Sequence, residues 1–428
     1  MTQPLADPER GDLPARGRPV SGPGRHRVEA ALAALRRGEY VIVTDDADRE
    51  NEGDLIAAAE LVTPELVARL VRHTSGVLCV ALEGQRLGEL GLPLMVPHNT
   101  EAQGTAFTVT VDCAHGTTTG ISAADRARTI AALADPATTA ADLRRPGHVF
   151  PLRGVAGGVL ARRGHTEAAV DLARLAGLRP AAVLCEVVAD DGSMARGPQL
   201  AELARIEGLC ILSIQELIEY RWVHEPLVEH VTAVRLPTGE GAFTAHCYRS
   251  LVDGTEHLAL VMGDVSGDDV LVRLQSECVT GEVLGSLRCD CGDQLTMAKA
   301  RIAAAGRGVV VYLRGHEGRG IGLAEKMRAY ALQDDGCDTV EANLQLGHPA
   351  DRRTYDVGGQ ILRDLRVRSV RLLTNNPHKQ AGLVPHLPGG VRREPLCGPR
   401  RAENVHYLFT KQHKLGHLLD GRPPEPCG

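Results

Sequence analysis

The sequence predicts an α/β chain of mixed sheets and helices, with two different modules in tandem. Three observations carry this. Apolar, strand-like runs alternate with helix-like runs along the chain. Its 428 residues exceed one ordinary domain, and each half is long enough to bury its own core. The alternation breaks once, at residues 220–232 (YRWVHEPLVEHVT), where Pro226 and charges interrupt it, and no internal repeat relates the two sides. The boundary is therefore set near Pro226.

The elements follow in order. Residues 1–25 hold five prolines and four glycines without an apolar segment, so they are expected to be a disordered arm and not a signal peptide. Residues 39–44 (EYVIVT) read as a buried strand. Thr63 caps a helix that Pro64 opens, since the first helical position needs no N–H. Residues 76–82 (GVLCVAL) read as a strand, and residues 105–111 (TAFTVTV) alternate as one. Ser122 and Asp125 open a helix in the manner of a capping box. Residues 167–176 are an amphipathic helix. Residues 181–188 (AAVLCEVV) are a strand, with helical periodicity following through Glu207. Beyond the boundary, strands are expected at 258–265, 308–313 (GVVVYL) and 370–373. Helices are expected at 293–305, 323–333 and 358–365. Strand order does not follow from the sequence.

Composition narrows the function. Hydrophobic residues are 43% and charged residues 24%, so the chain as a whole is not disordered. With 48 basic against 54 acidic residues, the net charge of -6 excludes a general nucleic-acid or anionic-membrane binder. Aromatics at 3% argue against base-stacking platforms, and so against a zinc-stabilised nucleic-acid module. No apolar run approaches the roughly 20 residues of a membrane span. Eleven cysteines, an odd number, suggest a reducing, cytoplasmic setting in which thiols are buried, reactive or metal-bound.

In the first half, Arg49-Glu50-Asn51-Glu52-Gly53-Asp54 follows the first strand. Carboxylates beside an arginine suit a divalent cation and a sugar phosphate, although a solvated acidic turn has the same pattern. Arg162, Arg163, Gly164, His165 and Thr166 precede the amphipathic helix and form either an anion site or a basic capped turn. His148, after Pro146, is a lone histidine that structure alone could explain. Glu186 stands in an apolar run, where a carboxylate is costly unless paired, catalytic or at a strand end facing water. Together these groups suit metal-assisted enolisation of a sugar phosphate.

The half resembles 3,4-dihydroxy-2-butanone 4-phosphate synthase over about residues 26–222. The resemblance rests on DDADRENEGD (45–54), HTSG (73–76), TAFTVTVD (105–112), TTGISAADRA (118–127), RPGHVFPLR (145–153), GHTEA (164–168) and VLCE with DDGSMAR (183–196). It implies conversion of D-ribulose 5-phosphate to the butanone phosphate and formate. It implies Mg²⁺, with Mn²⁺ also suited to imidazole, on Glu50 and His165. It implies substrate contacts from Arg49, Asp54, Arg162, Thr166 and Glu186, and catalysis by His148 and Glu186. Arg163 stands where the family often has a small or acidic residue.

In the second half, Cys278, Cys289 and Cys291 form a C-x10-C-x-C array. Three thiolates suit Zn²⁺ with a fourth position open to water, and buried unligated cysteines are the alternative. Residues 315–322 (GHEGRGIG) make a glycine-rich strand-to-helix turn that is neither a P-loop nor GxGxxG. Residues 374–379 (TNNPHK) offer hydroxyl, amide and ammonium groups, or a simple polar turn. Asp351, Arg352 and Arg353 lie in a polar loop.

This half resembles GTP cyclohydrolase II over about residues 230–420. The carriers are SEC (276–278), SLRCDCGDQL (286–295), GHEGRGIGL (315–323), RAYALQDDG (328–336), DTVEAN (338–343), LLTNNP (372–377) and YLFTKQHKLGH (407–417). The resemblance implies hydrolysis of GTP to a diaminopyrimidinone ribosylamine phosphate, formate and pyrophosphate. It implies zinc on Cys278, Cys289 and Cys291, and GTP contacts from Arg273 through Glu277, Gln294, Glu317, Gly318, Arg319, Thr339, Thr374 and Lys379. Asp351 matches a proton acceptor, Arg353 a nucleophile on the α-phosphate, and Tyr330 a tyrosine beside the zinc. Departures from the family are Gln275 for histidine, Glu282 for aspartate, Leu284 for phenylalanine, Thr354 for an acidic residue, and the proline-rich 381–396. The expectation is a bifunctional, homodimeric enzyme of riboflavin biosynthesis that binds small molecules and neither nucleic acid nor membrane. The alternative is an active first half beside a zinc- and GTP-binding second half with slow or lost turnover.

Overall fold

A computed structural model describes residues 23–419. The arm expected over 1–25 lies outside these residues up to position 22, and from Pro23 the chain is helical, over Pro23–Arg36. Long-range packing separates the described residues into two compact units, 23–230 with Arg249–Glu256, and Val231–Tyr248 with 257–419.

The first unit holds strands β1 (Val41–Thr44), β2 (Gly53–Ala58), β3 (Cys79–Glu83), β4 (Val111–Cys113), β5 (Leu143–Gly154), β6 (Ala181–Glu186) and β7 (Ile211–Ser213). They form one mixed sheet in the order β4-β5-β3-β6-β2-β1-β7. Alternation along each strand sends side chains to two faces. Leu55, Val80, Val183 and Val149 join the core under helices Pro64–His73 and Ala123–Ala134. Ile56, Cys79, Leu184 and Leu152 join the core under helices Pro23–Arg36, His165–Leu175 and Ile214–His224. The caps read from sequence are present: Thr63 accepts from the Leu66 N–H, and Ser122 from the Asp125 N–H.

Two local expectations change. The strand expected over 105–111 reaches the ladder only at Val111; upstream there are isolated bridges, Phe107 to Leu152 and Leu94 to Thr108. Pro151 has no N–H to extend that pairing, and the N–H and hydroxyl of Thr108 both donate to its carbonyl, at 3.0 and 2.9 Å. The segment 220–232, expected to be irregular, is instead the end of helix Ile214–His224 followed by a strand.

The second sheet contains β8 (Val228–Thr238), β9 (Gly241–Ser250), β10 (Glu256–Met262), β11 (Val270–Ser276), β12 (Gly308–Leu313), β13 (Val370–Leu373) and β14 (Val391–Glu394), ordered β14-β13-β11-β12-β10-β9-β8. The first four strands of this order are parallel. Leu271, Val310 and Leu373 pack against Ala298 and Ile302 of helix Cys291–Ala305. On the other face Gly358, in helix Asp356–Asp364, lies so close to Leu274 that a Cβ there would approach it to 3.1 Å. The loops leaving β11, β12 and β13 gather at the carboxyl ends of parallel strands, where open α/β sheets bind ligands.

Candidate active sites

The first site is built on one end of the first sheet. Asp54 and Glu186 are register partners across β2 and β6. Glu186 shares the face of Leu184, and Asp54 that of Ile56, so both carboxylates point to the face covered by helix His165–Leu175. His148, two residues before Phe150 on β5, has the same parity, with β3 between it and Glu186. His165 begins the covering helix. Strand alternation and one helix start thus bring four of the named residues to one corner.

The acidic loop between β1 and β2 is tied by a residue that sequence reading passed over. Asp45 accepts the N–H groups of Glu50 at 2.9 Å and Glu52 at 2.8 Å, and Arg49 at 3.0 Å. This presents Glu50 to His165, whose Nδ1 lies 3.6 Å from Glu50 and 3.8 Å from Asp54. Oxygens of Asp45 and Glu50 and a ring nitrogen of His165 all lie within 4.8 Å of one another. Burial pushes the Asp54 carboxyl up to about 7. Burial lowers His165, but Asp54, Glu50 and Asp45 outweigh it and raise the imidazole to about 9. His165 Nε2 and Asp54 Oδ1 are buried without hydrogen-bond partners. Orphaned buried donors and acceptors of this kind fit a divalent cation held by carboxylate and imidazole.

His148 is held by Asp112, which takes its backbone N–H at 3.0 Å and faces Nδ1 at 2.7 Å. A proton on Nδ1 shared with Asp112 leaves Nε2 as the basic nitrogen. Gly120 underlies this pair; a Cβ there would come within 2.1 Å of Asp112 and 2.5 Å of His148. Ser75 donates to Glu186 at 2.9 Å. Arg162 donates to buried Glu167 at 2.6 Å and to the Gln103 carbonyl at 3.0 Å, while Thr166 is buried in the first turn of the helix. Asp45, Asp112 and Ser75 lie within segments that carry the resemblance, but received no role from the sequence because each acts through the side chain or backbone of another residue.

The second site lies in the cleft at the ends of β11, β12 and β13. Cys278 follows β11, Cys289 precedes the helix that Cys291 begins, and the Sγ atoms of Cys278 and Cys289 are 3.7 Å apart. The three sulfurs lie within 4.8 Å of one another. A Cβ on Gly281 would stand 2.7 Å from the Cys289 sulfur, so only glycine fits beneath the trio. Thiol hydrogen bonds from Cys289 and Cys291, together with the ammonium of Lys326, drive Cys278 toward the thiolate. Three convergent sulfurs over a glycine fit Zn²⁺ by donor type. Lys326, not singled out by the sequence, donates to Cys278 at 3.3 Å, to Thr280 at 2.7 Å and to Glu317. Tyr330 meets Thr280 at 3.3 Å.

Arg273, Glu277, Gln294, Glu317, Gly318, Arg319, Thr339, Thr374 and Lys379 all line this cleft, as do Tyr330 and Arg353. Arg273 is already committed, to Gln275 at 2.9 Å, Gln294 at 2.7 Å and the Leu373 carbonyl at 2.9 Å. Arg319 is not. It has φ +65° between two glycines, is 7% exposed, and its Nη1 and Nη2 have no hydrogen-bond partner. A non-glycine residue held in the left-handed region with an unpartnered buried guanidinium is chemically suited to an anion. Asp351 grips Arg353 through both oxygens, at 2.9 and 2.6 Å. Burial disfavours its charge, but Arg353 prevails and holds Asp351 at about 2. Asn343, Tyr407, Lys411 and His417 also line the cleft and were not singled out from sequence.

Among the described residues no helix is long and apolar enough to cross a membrane. Family models match twice: 3,4-dihydroxy-2-butanone 4-phosphate synthase over residues 29–220, and GTP cyclohydrolase II over residues 229–386. A probable bifunctional riboflavin biosynthesis protein of Oryza sativa, named as chloroplastic, is 57% identical over 404 residues, 94% of this chain and 75% of its own. A riboflavin biosynthesis protein of Salinispora arenicola is 58% identical over 394 residues, 92% of this chain and 94% of its own. Among solved structures, a two-domain 3,4-dihydroxy-2-butanone 4-phosphate synthase from A. baumannii has a TM-score of 0.65 at 36% identity, covering 86% of this chain and 99% of that one.

Proposed function

The chain belongs to the family of bifunctional riboflavin biosynthesis proteins, a 3,4-dihydroxy-2-butanone 4-phosphate synthase joined to a GTP cyclohydrolase II, and from that premise we propose how its residues divide the work. The lyase domain is residues 26–226 and the hydrolase domain residues 227–428.

In the first site Glu50 and His165 hold Mg²⁺ or Mn²⁺, with Asp45 fixing their loop. The bound ion supplies polarisation of the ribulose 5-phosphate carbonyl. Arg49, Asp54, Arg162 and Thr166 take the phosphate and hydroxyls. His148 exchanges protons at Nε2, its ring aligned by Asp112, and Glu186 exchanges them from the opposite side of β3. The convergence of Glu50 and Asp45 oxygens on a ring nitrogen of His165, all within 4.8 Å of one another, is the observation that supports this reading.

In the second site Cys278, Cys289 and Cys291 hold Zn²⁺, which supplies an activated water for opening the guanine imidazole ring. The observation that carries the site is the idle, buried guanidinium of Arg319 at the ends of parallel strands. It receives phosphate oxygens with Lys379 and Thr374, while Arg273, Gln294, Glu277, Glu317, Gly318 and Thr339 shape the rest of the GTP pocket. Tyr330 stands beside the zinc. Arg353 meets the α-phosphate; attack of a guanidinium nitrogen on phosphorus would break the bond from the α-phosphorus to the bridging oxygen and release pyrophosphate, and it requires the fork to Asp351 to open, with Asp351 taking the guanidinium proton. Until then the pair is a charge clamp. No observation favours a silent second half.

Both substrates are small molecules. A homodimer and a reducing, cytoplasmic setting complete the proposal, and light scattering at twice the 45.7 kDa chain mass would support the dimer. The test is turnover of both substrates by one preparation, with zinc and after chelation, beside Arg353→Ala. Zinc-dependent GTP turnover lost in the variant supports the reading. Turnover of ribulose 5-phosphate alone sinks the second half of it.

A further inference from the structure

The motif YLFTKQHKLGH (407–417) matches the hydrolase resemblance but received no role, and it lies beyond the 229–386 region of the family match. In the structure it belongs to a segment, residues 401–418, that crosses three walls of the second cleft. Lys411, on helix Val405–His413, donates to Asp290 at 2.7 Å, and Asp290 is the residue between Cys289 and Cys291. Arg401 grips Asp293 on the helix that Cys291 begins. Lys414 pairs with Asp338 and Glu341, which cap the helix carrying Thr339. The Leu418 N–H donates to the Asn375 carbonyl at 2.8 Å, beside Thr374. One strap thus binds the zinc turn, the Thr339 helix and the loop after β13.

Lys411 is the part of the strap that reaches inside. It is 8% exposed, lines the cleft, and lies 4.4 Å from the Tyr407 ring centroid. The second oxygen of Asp290 takes the Gln294 amide at 2.7 Å, so Asp290 is satisfied only while both donors are present. Losing one partner of a buried ion pair strands the other charge.

We propose that Lys411 is a positioning residue of the second site: through Asp290 it fixes the Cys289–Cys291 turn, and the strap carrying it holds the three cleft walls in register. The inference rests on reading this cleft as the zinc and GTP site. Outer-shell partners of metal ligands typically change metal affinity or activity by about 10–100-fold when removed.

The experiment uses the full chain with Lys411→Met, Asp290→Asn, the double variant and Lys411→Arg. Two readouts are taken: zinc release to a chromophoric chelator, and the kcat and KM of GTP turnover. Ribulose 5-phosphate turnover checks the rest of the chain. Each single variant is expected to speed zinc release and lower kcat/KM by about 10–100-fold. The double variant is expected to lose no more than the worse single, and Lys411→Arg to recover part of the loss. Losses that multiply in the double variant, or zinc release within twofold of wild type in both singles, overturn the proposal. Asp290→Asn keeps side-chain volume and reads the same bridge if Lys411→Met fails to fold. Wild-type protein that holds zinc but turns over no GTP sinks the reading of the site, while zinc release still decides the strap.

Discussion

The side-chain amide of Gln275 donates to the carboxylate of Glu282, which also accepts the Tyr312 hydroxyl at 2.6 Å and the Cys278 N–H at 3.3 Å. Gln275 further reaches the Cys291 carbonyl at 3.4 Å. The two residues that depart from the family's histidine and aspartate therefore touch each other, and together they brace the backbone of Cys278 and Cys291. A longer carboxylate arm at 282 meets an amide at 275. The two departures form one hydrogen-bonded pair.

That pairing predicts non-additivity. Glu282→Asp alone withdraws the carboxylate by one methylene and strands the Gln275 or Tyr312 donor, at about 1–3 kcal/mol for a buried group left unpaired. Gln275→His with Glu282→Asp restores the family pair. The double variant should turn over GTP faster than Glu282→Asp alone, with a coupling energy of about 0.5–3 kcal/mol. Independent effects in a double-mutant cycle on kcat/KM would refute the compensation.

Gly120→Ala should silence the first site alone. Its Cβ would fall 2.1 Å from Asp112 and 2.5 Å from His148, and φ of +95° disfavours any side chain. Displacing His148 by about 1 Å costs about 100-fold in rate. The comparison is ribulose 5-phosphate turnover against GTP turnover in one preparation; an equal fall in both would mean global damage.

Much of this was legible in the sequence, and what was not has physical causes. Strands 308–313 and 370–373 appear with the expected bounds, because they are short apolar runs ending at glycine-rich or polar turns. β11 went unseen although every residue in it is buried, since Arg273 and Gln275 interrupt its apolar run to serve the cleft. β5 was hidden by Pro146 and Pro151, residues that usually argue against an inner strand. The three cysteines were readable as a group because donor type and spacing single them out, and the structure brings their sulfurs within 4.8 Å of one another. The roles of Asp112, Lys326 and Lys411 were not, because they exist only in contacts made across the fold.

Gly281→Ala tests the proposed zinc cradle by metal content, without a GTP turnover assay. The new methyl would stand 2.7 Å from Cys289 Sγ and 3.4 Å from Cys278 Sγ. Bound zinc measured by elemental analysis should fall well below one per chain, while ribulose 5-phosphate turnover persists. Full zinc occupancy in the variant would show that the sulfurs are not confined by this contact.

Arg319→Lys should weaken anion binding despite keeping the charge. A lysine lacks the planar fork, and position 319 demands φ near +65° of whichever residue stands there. Pyrophosphate at 100 times its dissociation constant should stabilise the wild-type protein by about 2.7 kcal/mol. The variant should show a clearly smaller shift in melting temperature at the same concentration. An unchanged shift would remove Arg319 from the anion slot.

The second unit should also lose stability in mild acid, and the sign follows from two histidines. Burial, then the facing cations Arg353 and Lys379, push His316 down to about 3. Burial, then Lys411, Arg353, Arg319 and Lys379, push His417 down to about 2. An unfolded histidine titrates near 6.5, so below that pH the unfolded chain binds protons that the native state refuses. Stability is therefore fully present above about pH 6.5 and falls as pH drops, by up to about 1.4 kcal/mol per pH unit for each histidine. Asp351, held at about 2, contributes loss only once pH passes below its ordinary 3.8, outside the interval from pH 7.5 to 5. Asp54 and His165 also contribute in that interval, with the opposite sign, but they belong to the first unit, so the transition to follow is the second unit's own. Urea unfolding across that interval should show a falling midpoint, and His316→Gln should flatten the fall. A midpoint that is constant, or that rises toward pH 5, would mean that one or both imidazoles accept a proton in the folded cleft.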